Sequence, residues 1–326
     1  MAEALLDVCA LNVAYGHGAS EIHAVVDVDL VVHPGEFVAV VGESGCGKST
    51  LCFAIAQLLP RAGRITSGEV IFKGQNLVTL RDRELRRMRW RAYAVVMQSA
   101  MNALNPVLRI GDQFRDVFLA HGVASRNEAR QRAAEALEMV GIAPSHVDSY
   151  PHQLSGGMRQ RAMVAMALAF TPDLLIMDEP TSALDVVAQR ALMHQIKRLQ
   201  DTIGFAIIFV THDMSIVSRF SDRIAVMYAG EIVEQNATTQ LFDALHPYTV
   251  ALLQSFPSIS NPTARLEGIP GAPPDLRTPV PGCRFAARCQ SVMDVCHTDH
   301  PGLRSVQDAT VRCHLYEIGT GRRHGN

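Results

Sequence analysis

Three short runs of apolar residues have the pattern of buried parallel strands. They span residues 37–41 (FVAVV), 174–177 (LLIM) and 205–210 (FAIIFV). Continuous apolar runs of this length are typical of strands that are covered on both faces. Residues 50–59, by contrast, place their apolar side chains at helical spacing. The alternation predicts an α/β fold in which helices flank a mostly parallel sheet.

A second pattern, of helical period, follows Gln98 for about 70 residues. Within it, the segment RNEARQRAAEALEMVGI predicts a helix, and Gly141 suits the position just after the helix end. One face of this helix is expected to be apolar; it would carry Ala129, Ala133, Ala136, Leu137 and Val140. We therefore expect a helical subdomain at about 99–167, inserted into the α/β core.

The amino-acid composition excludes some classes of protein but does not indicate a function. Of 326 residues, 48% are hydrophobic and 19% charged, and the net charge is −2. The chain can therefore bury a core, and no basic field indicates a nucleic-acid partner. The N-terminal sequence has neither the basic region nor the apolar run of a secretory signal. Pro172 and Asp173 interrupt the most apolar stretch before it reaches a membrane span. We expect a cytosolic protein that meets membranes only through partners.

The chain divides near residue 255. Residues 1–255 carry the sheet and its motifs, whereas residues 256–326 begin with a Pro-, Gly- and Ser-rich arm and then hold four of the seven cysteines. Such an arm predicts an extended connection.

A local run of six arginines between Arg81 and Arg91 is interrupted by acidic residues, and we interpret it as a solvated helix face.

The first apolar run leads into the sequence GESGCGKS at 42–49, which matches the phosphate-binding P-loop. A strand precedes it and a helix follows, as that motif requires. Glycines let successive backbone N–H groups point at phosphate oxygens, Lys48 reaches the β- and γ-phosphates, and the Ser49 hydroxyl ligates Mg²⁺. The nucleotide-binding residues predicted here are Gly42, Ser44, Gly45, Cys46, Gly47, Lys48, Ser49 and Thr50.

Acidic residues follow the second apolar run directly. Asp178 is placed to hold Mg²⁺, and Glu179 to orient the attacking water. The third run ends in Thr211-His212-Asp213, which places His212 at the same edge of the sheet. We predict that Glu179 and His212 are catalytic.

The sequence LSGGMRQ at 154–160 resembles the signature of the ATP-binding cassette (ABC) ATPases, with Met158 at a position that is usually Gln. Further family motifs occur in order along residues 5–250. The resemblance implies that Tyr15 stacks on adenine. It also implies that Gln98 of the Q-loop is a third catalytic residue, which senses Mg²⁺ and the attacking water. It also implies that the signature contacts ATP bound to a partner cassette, through Ser155, Gly156, Gly157 and Gln160, and that Asp185 of the D-loop crosses the dimer interface. Mg²⁺ is then expected on Ser49, Gln98 and Asp178.

The tail spaces its cysteines as C-x5-C-x6-C-x16-C, at Cys283, Cys289, Cys296 and Cys313. The spacing is wider than that of zinc knuckles and matches neither of the common ferredoxin patterns. A cytosolic setting disfavours disulfides. Zinc, an iron–sulfur cluster and unliganded thiols all stay open on spacing alone. The neighbouring histidines are alternative candidate ligands, but we interpret them as exposed polar residues; they are His297, His300 and His314.

The tail adds a second resemblance. HPYTVALLQSFP, the proline-rich arm and GCRFAARC together resemble the C-terminal extension of the cassettes that serve oligopeptide and dipeptide importers. Some members of that family carry a [4Fe–4S] cluster on these cysteines, so the resemblance implies such a cluster, with Zn²⁺ as the alternative.

The expected protein is thus an ABC-type ATPase with a P-loop α/β core, an inserted helical subdomain and a small cysteine-containing extension. It would hydrolyse ATP with Mg²⁺ at the cytoplasmic face of the cell membrane. The family implies a second ATPase subunit, identical or related, two transmembrane permease subunits and an extracytoplasmic substrate-binding protein. Alternatives are another cargo, such as an oligosaccharide or nickel, or a soluble ABC ATPase without a transport role.

Overall fold

A computed structural model describes residues 3–98, 103–122, 125–182, 184–255, 268–278 and 280–316. The strands are β1 (Leu6–Tyr15), β2 (Ile22–Val32), β3 (Phe37–Val41), β4 (Gly63–Phe72), β5 (Gln75–Asn76), β6 (Tyr93–Val96), β7 (Leu174–Asp178), β8 (Ala206–Thr211), β9 (Arg223–Tyr228), β10 (Glu231–Ala237), β11 (Leu303–Val306) and β12 (Ala309–Arg312). The α-helices are α1 (Lys48–Ile55), α2 (Asp82–Met88), α3 (Ile110–Ala120), α4 (Arg126–Met139), α5 (Gly156–Leu168), α6 (Val186–Ile203), α7 (Met214–Phe220), α8 (Pro247–Gln254) and α9 (Val295–Thr298).

The chain forms two compact units. The first comprises mainly Asn76–Val210. In it, β7 lies between β6 and β8 and pairs with both in parallel, with Tyr93 opposite Leu174 and Leu174 opposite Ala206. Every residue of β7 is buried. This burial explains why the strand is continuously apolar up to its last residue, Asp178.

The helices between β6 and β7 belong to this first unit. Ser125 caps α4 by accepting a hydrogen bond from the Glu128 N–H, and Gly141, with φ of +68°, follows the end of the helix. The face predicted from the sequence is the buried one, because its residues are at most 3% exposed: Ala129, Ala133, Ala136, Leu137 and Val140. Both the helix and its core-facing side are therefore confirmed.

The second unit comprises Leu6–Val31, Val38–Gln75 and the chain from Thr211 onward. Strand β3 pairs in parallel with β9, and β9 pairs antiparallel with β10. The hairpin β11–β12, which belongs to the cysteine-containing tail, extends this arrangement because β12 pairs with β10. Strands β2, β1, β4 and β5 form a separate sheet, in which β1 and β4 are antiparallel.

The predicted strands are confirmed to within one residue at each end. The helix predicted at 50–59 is shorter than expected and starts earlier, at Lys48, because the P-loop runs directly into its first turn. It ends before Gln57, which has φ of +54°.

The arginine-rich segment forms α2, where only Leu85 is buried, as expected for a solvated helix. Residues 256–267 of the predicted arm lie outside the described residues. None of the helices in the described ranges combines the length and apolar character that crossing a bilayer requires.

Candidate functional site

The P-loop joins β3 to α1 and depends on two glycines for its path. A Cβ at Gly42 would lie 2.0 Å from the Met227 carbonyl oxygen, and one at Gly47 would lie 2.2 Å from the Ala24 carbonyl oxygen. Gly47 also has φ of +106°, a conformation that strains L-residues. The loop is thus folded tightly against neighbouring backbone, and only glycine fits at both positions.

Lys48 is the first residue of α1 and is 6% exposed. Its Nζ donates hydrogen bonds to the carbonyl oxygens of Gly42 (2.9 Å) and Glu43 (2.8 Å). The ammonium group therefore lies inside the curve of the loop, where a phosphate would be cradled. Ser44 and Gly45 are exposed at the tip of the loop, whereas Cys46 is buried.

Tyr15, the predicted adenine contact, ends β1 beside the same loop. Its hydroxyl is 3.2 Å from the hydroxyl of Thr50 in α1. The ring also covers Gly63, where a Cβ would lie 2.7 Å from it. The structure thus brings Tyr15 and Thr50 together, and the ring is only partly buried.

In the first unit, the predicted catalytic carboxylate lies at the end of β7. Asp178 is 2% exposed, and Glu179 follows it with φ of +44°, a conformation that is uncommon for a non-glycine residue. The Glu179 carboxylate accepts a hydrogen bond of 2.9 Å from Nε2 of Gln98. The structure therefore brings together two residues that the sequence assigned to the same chemistry. Strained backbone of this kind concentrates at functional sites.

His212 lies in the turn between β8 and α7. The Thr211 hydroxyl accepts a hydrogen bond from the Asp213 N–H, and the Asp213 carboxylate caps α7 by accepting one from the Ser215 N–H. These bonds fix the turn, and the His212 side chain is exposed. It lines a cavity of about 260 Å³ together with Gly42 and Ser44 of the P-loop.

The signature residues begin α5. Ser155 caps that helix by accepting a hydrogen bond from the Met158 N–H, and Gly156 and Gly157 form its first turn. Gln160, by contrast, is only 3% exposed. The helix start that the signature motif requires is therefore present, and its binding of an anion stays a prediction. The Gln160 side chain packs inside the unit, so its contact with a partner's ATP also stays a prediction.

The D-loop residue Asp185 caps α6 and accepts a hydrogen bond of 2.8 Å from the Ala188 N–H. Ala183 of the same loop lies outside the described residues. Two apolar residues directly after Asp185 are exposed, Val186 at 63% and Val187 at 79%.

All seven cysteines lie in the described part of the chain, and all are free thiols. Cys296 and Cys313 are buried, and the Cys283 N–H donates a hydrogen bond to the Cys296 carbonyl. Burial, with a smaller contribution from the other three tail thiols, raises the pKa of the Cys313 thiol to about 12. Burial likewise raises the pKa of Cys283 to about 11. The four tail cysteines thus lie near one another, although no group of three or more His, Cys, Asp or Glu side chains in the described ranges has metal-site geometry.

The expectation of exposed tail histidines is wrong for one of the three. His314 is buried, and its Nε2 is 2.8 Å from the Asp299 carbonyl oxygen. The reason is that the last described turn of the tail folds back on the chain near Asp299. His297 and His300 are exposed, and His300 lies 2.9 Å from the Glu231 carboxylate.

One P-loop interaction was missed by the sequence analysis. Glu43, to which the sequence analysis assigned no role, forms a bidentate ion pair with Arg288 of the tail, with distances of 2.7 and 2.8 Å. Its backbone N–H donates to the Tyr248 hydroxyl at 2.9 Å. No sequence signal links positions so far apart in the chain.

Comparison with known proteins agrees with this geometry. Residues 25–182 match the family "ABC transporter", and residues 233–296 match "Oligopeptide/dipeptide transporter, C-terminal region". The chain is 43% identical to the dipeptide transport ATP-binding protein DppD of Caldanaerobacter subterraneus, a match that covers 91% of this chain and 93% of that protein. It is 42% identical to the oligopeptide transport ATP-binding protein OppD of Bacillus subtilis, over 93% of this chain and 86% of that protein.

A solved structure shares the fold. It is a dimeric, post-hydrolysis state of the ATP-binding cassette MJ0796 bound to ADP and Pi, with a TM-score of 0.64 and 32% identity. The match covers 72% of this chain and 98% of that chain. The expected α/β class with a P-loop ABC ATPase core is therefore confirmed.

Proposed function

This chain belongs to the ABC transporter family of ATP-binding ATPases, and from that membership we propose that it powers the import of peptides. The main support for this proposal is that one chain combines the ABC ATPase region with an oligopeptide/dipeptide transporter C-terminal region. The relatives named as dipeptide and oligopeptide transport proteins match along nearly the whole chain and not merely along the ATPase part.

We assign the phosphate chemistry to the P-loop and to the two residues that meet at β7. Lys48 and the loop amides would bind the β- and γ-phosphates and stabilise the charge that develops on them. Glu179, held by Gln98, would orient water for in-line attack on the γ-phosphate, and His212 would contact that phosphate. Mg²⁺ prefers oxygen ligands, so the side chains of Ser49, Gln98 and Asp178 would hold it, and the bound ion would neutralise phosphate charge.

The assembly that we propose contains a second ATPase subunit. Each signature, from Ser155 to Gln160, would cover the ATP on the partner's P-loop, and Asp185 would lie at the interface. Hydrolysis would then drive two transmembrane permease subunits at the cytoplasmic face of the membrane, where this subunit is peripheral. An extracytoplasmic binding protein would deliver a peptide.

We also propose that the four tail thiols hold a [4Fe–4S] cluster, with Zn²⁺ as the alternative. The support is chemical. The four thiols lie in a mostly buried setting, burial raises the pKa of Cys283, Cys289 and Cys313, and bound iron would compensate the charge of their thiolates. Cys283, Cys289, Cys296 and Cys313 would be the ligands. The bound group would supply a structural link among the tail segments.

The transport assignment is tested by reconstitution. The purified chain is assayed for ATP hydrolysis alone and then in proteoliposomes with candidate permease subunits and binding protein. We expect hydrolysis that the binding protein stimulates when it carries a peptide. Stimulation by an oligosaccharide or by nickel would reassign the cargo, and full activity without permeases would point to a soluble ATPase.

A further inference from the structure

Arg288 of the C-terminal tail contacts the P-loop, and every hydrogen-bond donor of its side chain is used. Arg288 has five N–H groups, and each has an acceptor. Its Nη1 donates to Glu43 (2.7 Å) and to the Tyr228 hydroxyl (3.2 Å), and its Nη2 donates to Glu43 (2.8 Å) and to the Ile269 carbonyl (3.2 Å). The remaining Nε donates to the Pro270 carbonyl at 2.9 Å.

The guanidinium is also held by aromatic rings. It lies 5.7 Å from the centre of the Tyr228 ring and 5.9 Å from that of Phe285. Tyr248, which accepts the hydrogen bond from the Glu43 N–H, has its ring centre 4.5 Å from that of Tyr228 and 5.4 Å from that of Phe285. The Arg288 side chain is 4% exposed, so this is a buried, pre-organised cation.

The charge of Glu43 explains why such a cation matters for nucleotide binding. Glu43 lies in the P-loop, and its side chain is 25% exposed. A carboxylate in a loop that must cradle several phosphate charges would repel them. Arg288 neutralises that carboxylate by bonding both of its oxygens, and it holds the carboxylate toward the tail, while Lys48 bonds the Glu43 backbone carbonyl.

A second arginine of the tail supports the P-loop indirectly, through the segment around Gly230. Arg284 donates a hydrogen bond to the Ala229 carbonyl and lies 2.6 Å from the Glu231 carboxylate. Between these two residues, the Gly230 N–H donates a hydrogen bond of 2.9 Å to the Cys46 carbonyl of the P-loop. The tail therefore supports the loop at both Glu43 and Cys46.

We propose that Arg288 is a positioning residue for nucleotide binding, which neutralises and orients Glu43 so that the P-loop accepts a nucleoside triphosphate. The C-terminal tail thereby sets the affinity of the phosphate site. This inference rests on the proposed ATP-binding role of the P-loop. It does not depend on the transported cargo.

The test measures binding of AMP-PNP, ADP and AMP, with Mg²⁺, to the purified full-length chain by calorimetry. For Arg288→Ala we expect about tenfold weaker binding of AMP-PNP, the order of effect of losing a charge-assisted pair. The loss should shrink with fewer phosphates and stay within about twofold for AMP, because AMP does not extend to the β- and γ-phosphate positions.

Adding Glu43→Gln to Arg288→Ala removes the unpaired carboxylate. We expect this double variant to recover most of the lost affinity, a rescue that a purely structural role of Arg288 would not give. The matched control is Arg312→Ala, which removes another buried tail arginine whose partner, Asp27, lies outside the P-loop. It should bind AMP-PNP within about twofold of the unmodified chain.

Three results would overturn the proposal: unchanged AMP-PNP affinity in Arg288→Ala, no recovery in the double variant, or an equal loss in Arg312→Ala. If Arg288→Ala does not fold, Arg288→Lys takes its place. Lysine keeps the charge but cannot bond both Glu43 oxygens as a fork, so a loss of about threefold is expected, confined to nucleotides with β- and γ-phosphates. Wild-type affinity for AMP-PNP in Arg288→Lys would then contradict the proposal. Because the assay uses only this chain and nucleotide, a failed peptide-transport assay leaves its outcome unaffected.

Discussion

The side-chain amide of Gln98 donates a 2.9 Å hydrogen bond to the carboxylate of Glu179. The two residues lie 81 positions apart, and Glu179 adopts φ of +44° directly after the buried end of β7. The bond fixes the direction of the carboxylate, and the Glu179 N–H is itself held by the Val210 carbonyl at 3.0 Å. If Glu179 is the base that we propose, this bond orients it for water activation before any substrate arrives.

Glu179→Gln is expected to bind ATP but hydrolyse it about 10²- to 10⁴-fold more slowly, because the amide cannot take a proton from water. Gln98 can still donate to the new side-chain oxygen, so the local geometry should persist. ATP should also trap a stable dimer of cassettes, visible by size-exclusion chromatography. Phosphate release measures the rate; hydrolysis at the wild-type rate would mean that Glu179 is not the base.

Lys48→Ala is expected to lower ATP affinity at least about tenfold, since it removes both the charge that faces the phosphates and the two bonds to the Gly42 and Glu43 carbonyls. Lys197→Ala, which removes an ion pair with Asp201 on the surface of α6, is the matched control and should leave affinity unchanged. Equilibrium titration with ATP measures the effect. Equal affinities of the two variants would refute the role of the P-loop lysine.

Gly47→Ala tests the tight packing of the loop. A Cβ there would lie 2.2 Å from the Ala24 carbonyl, at φ of +106°, so we expect a loss of more than about 2 kcal/mol in the free energy of unfolding, together with loss of ATP binding. At Gly302 nothing lies within 4 Å of an added Cβ. Gly302→Ala should therefore change stability by less than about 0.5 kcal/mol in the same urea titration. A comparably mild effect at Gly47 would contradict the described loop path.

Local patterns in the sequence were sufficient for much of the fold. The apolar runs predicted β3, β7 and β8, and the P-loop motif predicted the strand–loop–helix unit, because burial on both faces and phosphate cradling each constrain consecutive residues. The contacts of the site were not predictable in this way. Gln98 with Glu179, and Glu43 with Arg288, are brought together only by tertiary packing, and no periodicity records such a pairing.

The four-cysteine tail gives a direct analytical prediction. Anaerobically purified protein is expected to contain about four iron and four sulfide per chain if the thiols of Cys283, Cys289, Cys296 and Cys313 bind a [4Fe–4S] cluster. Cys313→Ser should lower the iron content, whereas Cys9→Ser, at a thiol of β1 beside Asp7, should not. One zinc per chain would select the alternative metal. Absence of iron and zinc would mean that the four thiols are unliganded.

The buried histidine at the start of α8 predicts a pH dependence of stability. His246 is 1% exposed, its Nδ1 accepts a hydrogen bond from the Tyr248 N–H, and Phe285 packs 5.9 Å from its ring. Burial lowers the pKa of His246 from 6.5 to about 3, so between these values the unfolded chain binds a proton that the folded chain does not. This contribution to stability is therefore complete above about pH 6.5 and is lost as the pH falls toward 3. From this group alone, we expect the free energy of unfolding to be about 2 kcal/mol lower at pH 5 than at pH 7.5.

Urea unfolding at several pH values measures this loss, with His246→Asn as the comparison. Asparagine keeps a side-chain oxygen that can cap α8 but does not titrate, so the variant should lose less stability than the unmodified chain between pH 7.5 and 5, by about 2 kcal/mol. The Glu234 carboxylate, which accepts hydrogen bonds from the backbone N–H groups of Leu245 and His246, is present in both proteins and cancels in the comparison. Parallel pH profiles of the two proteins would mean that His246 is not the titrating group.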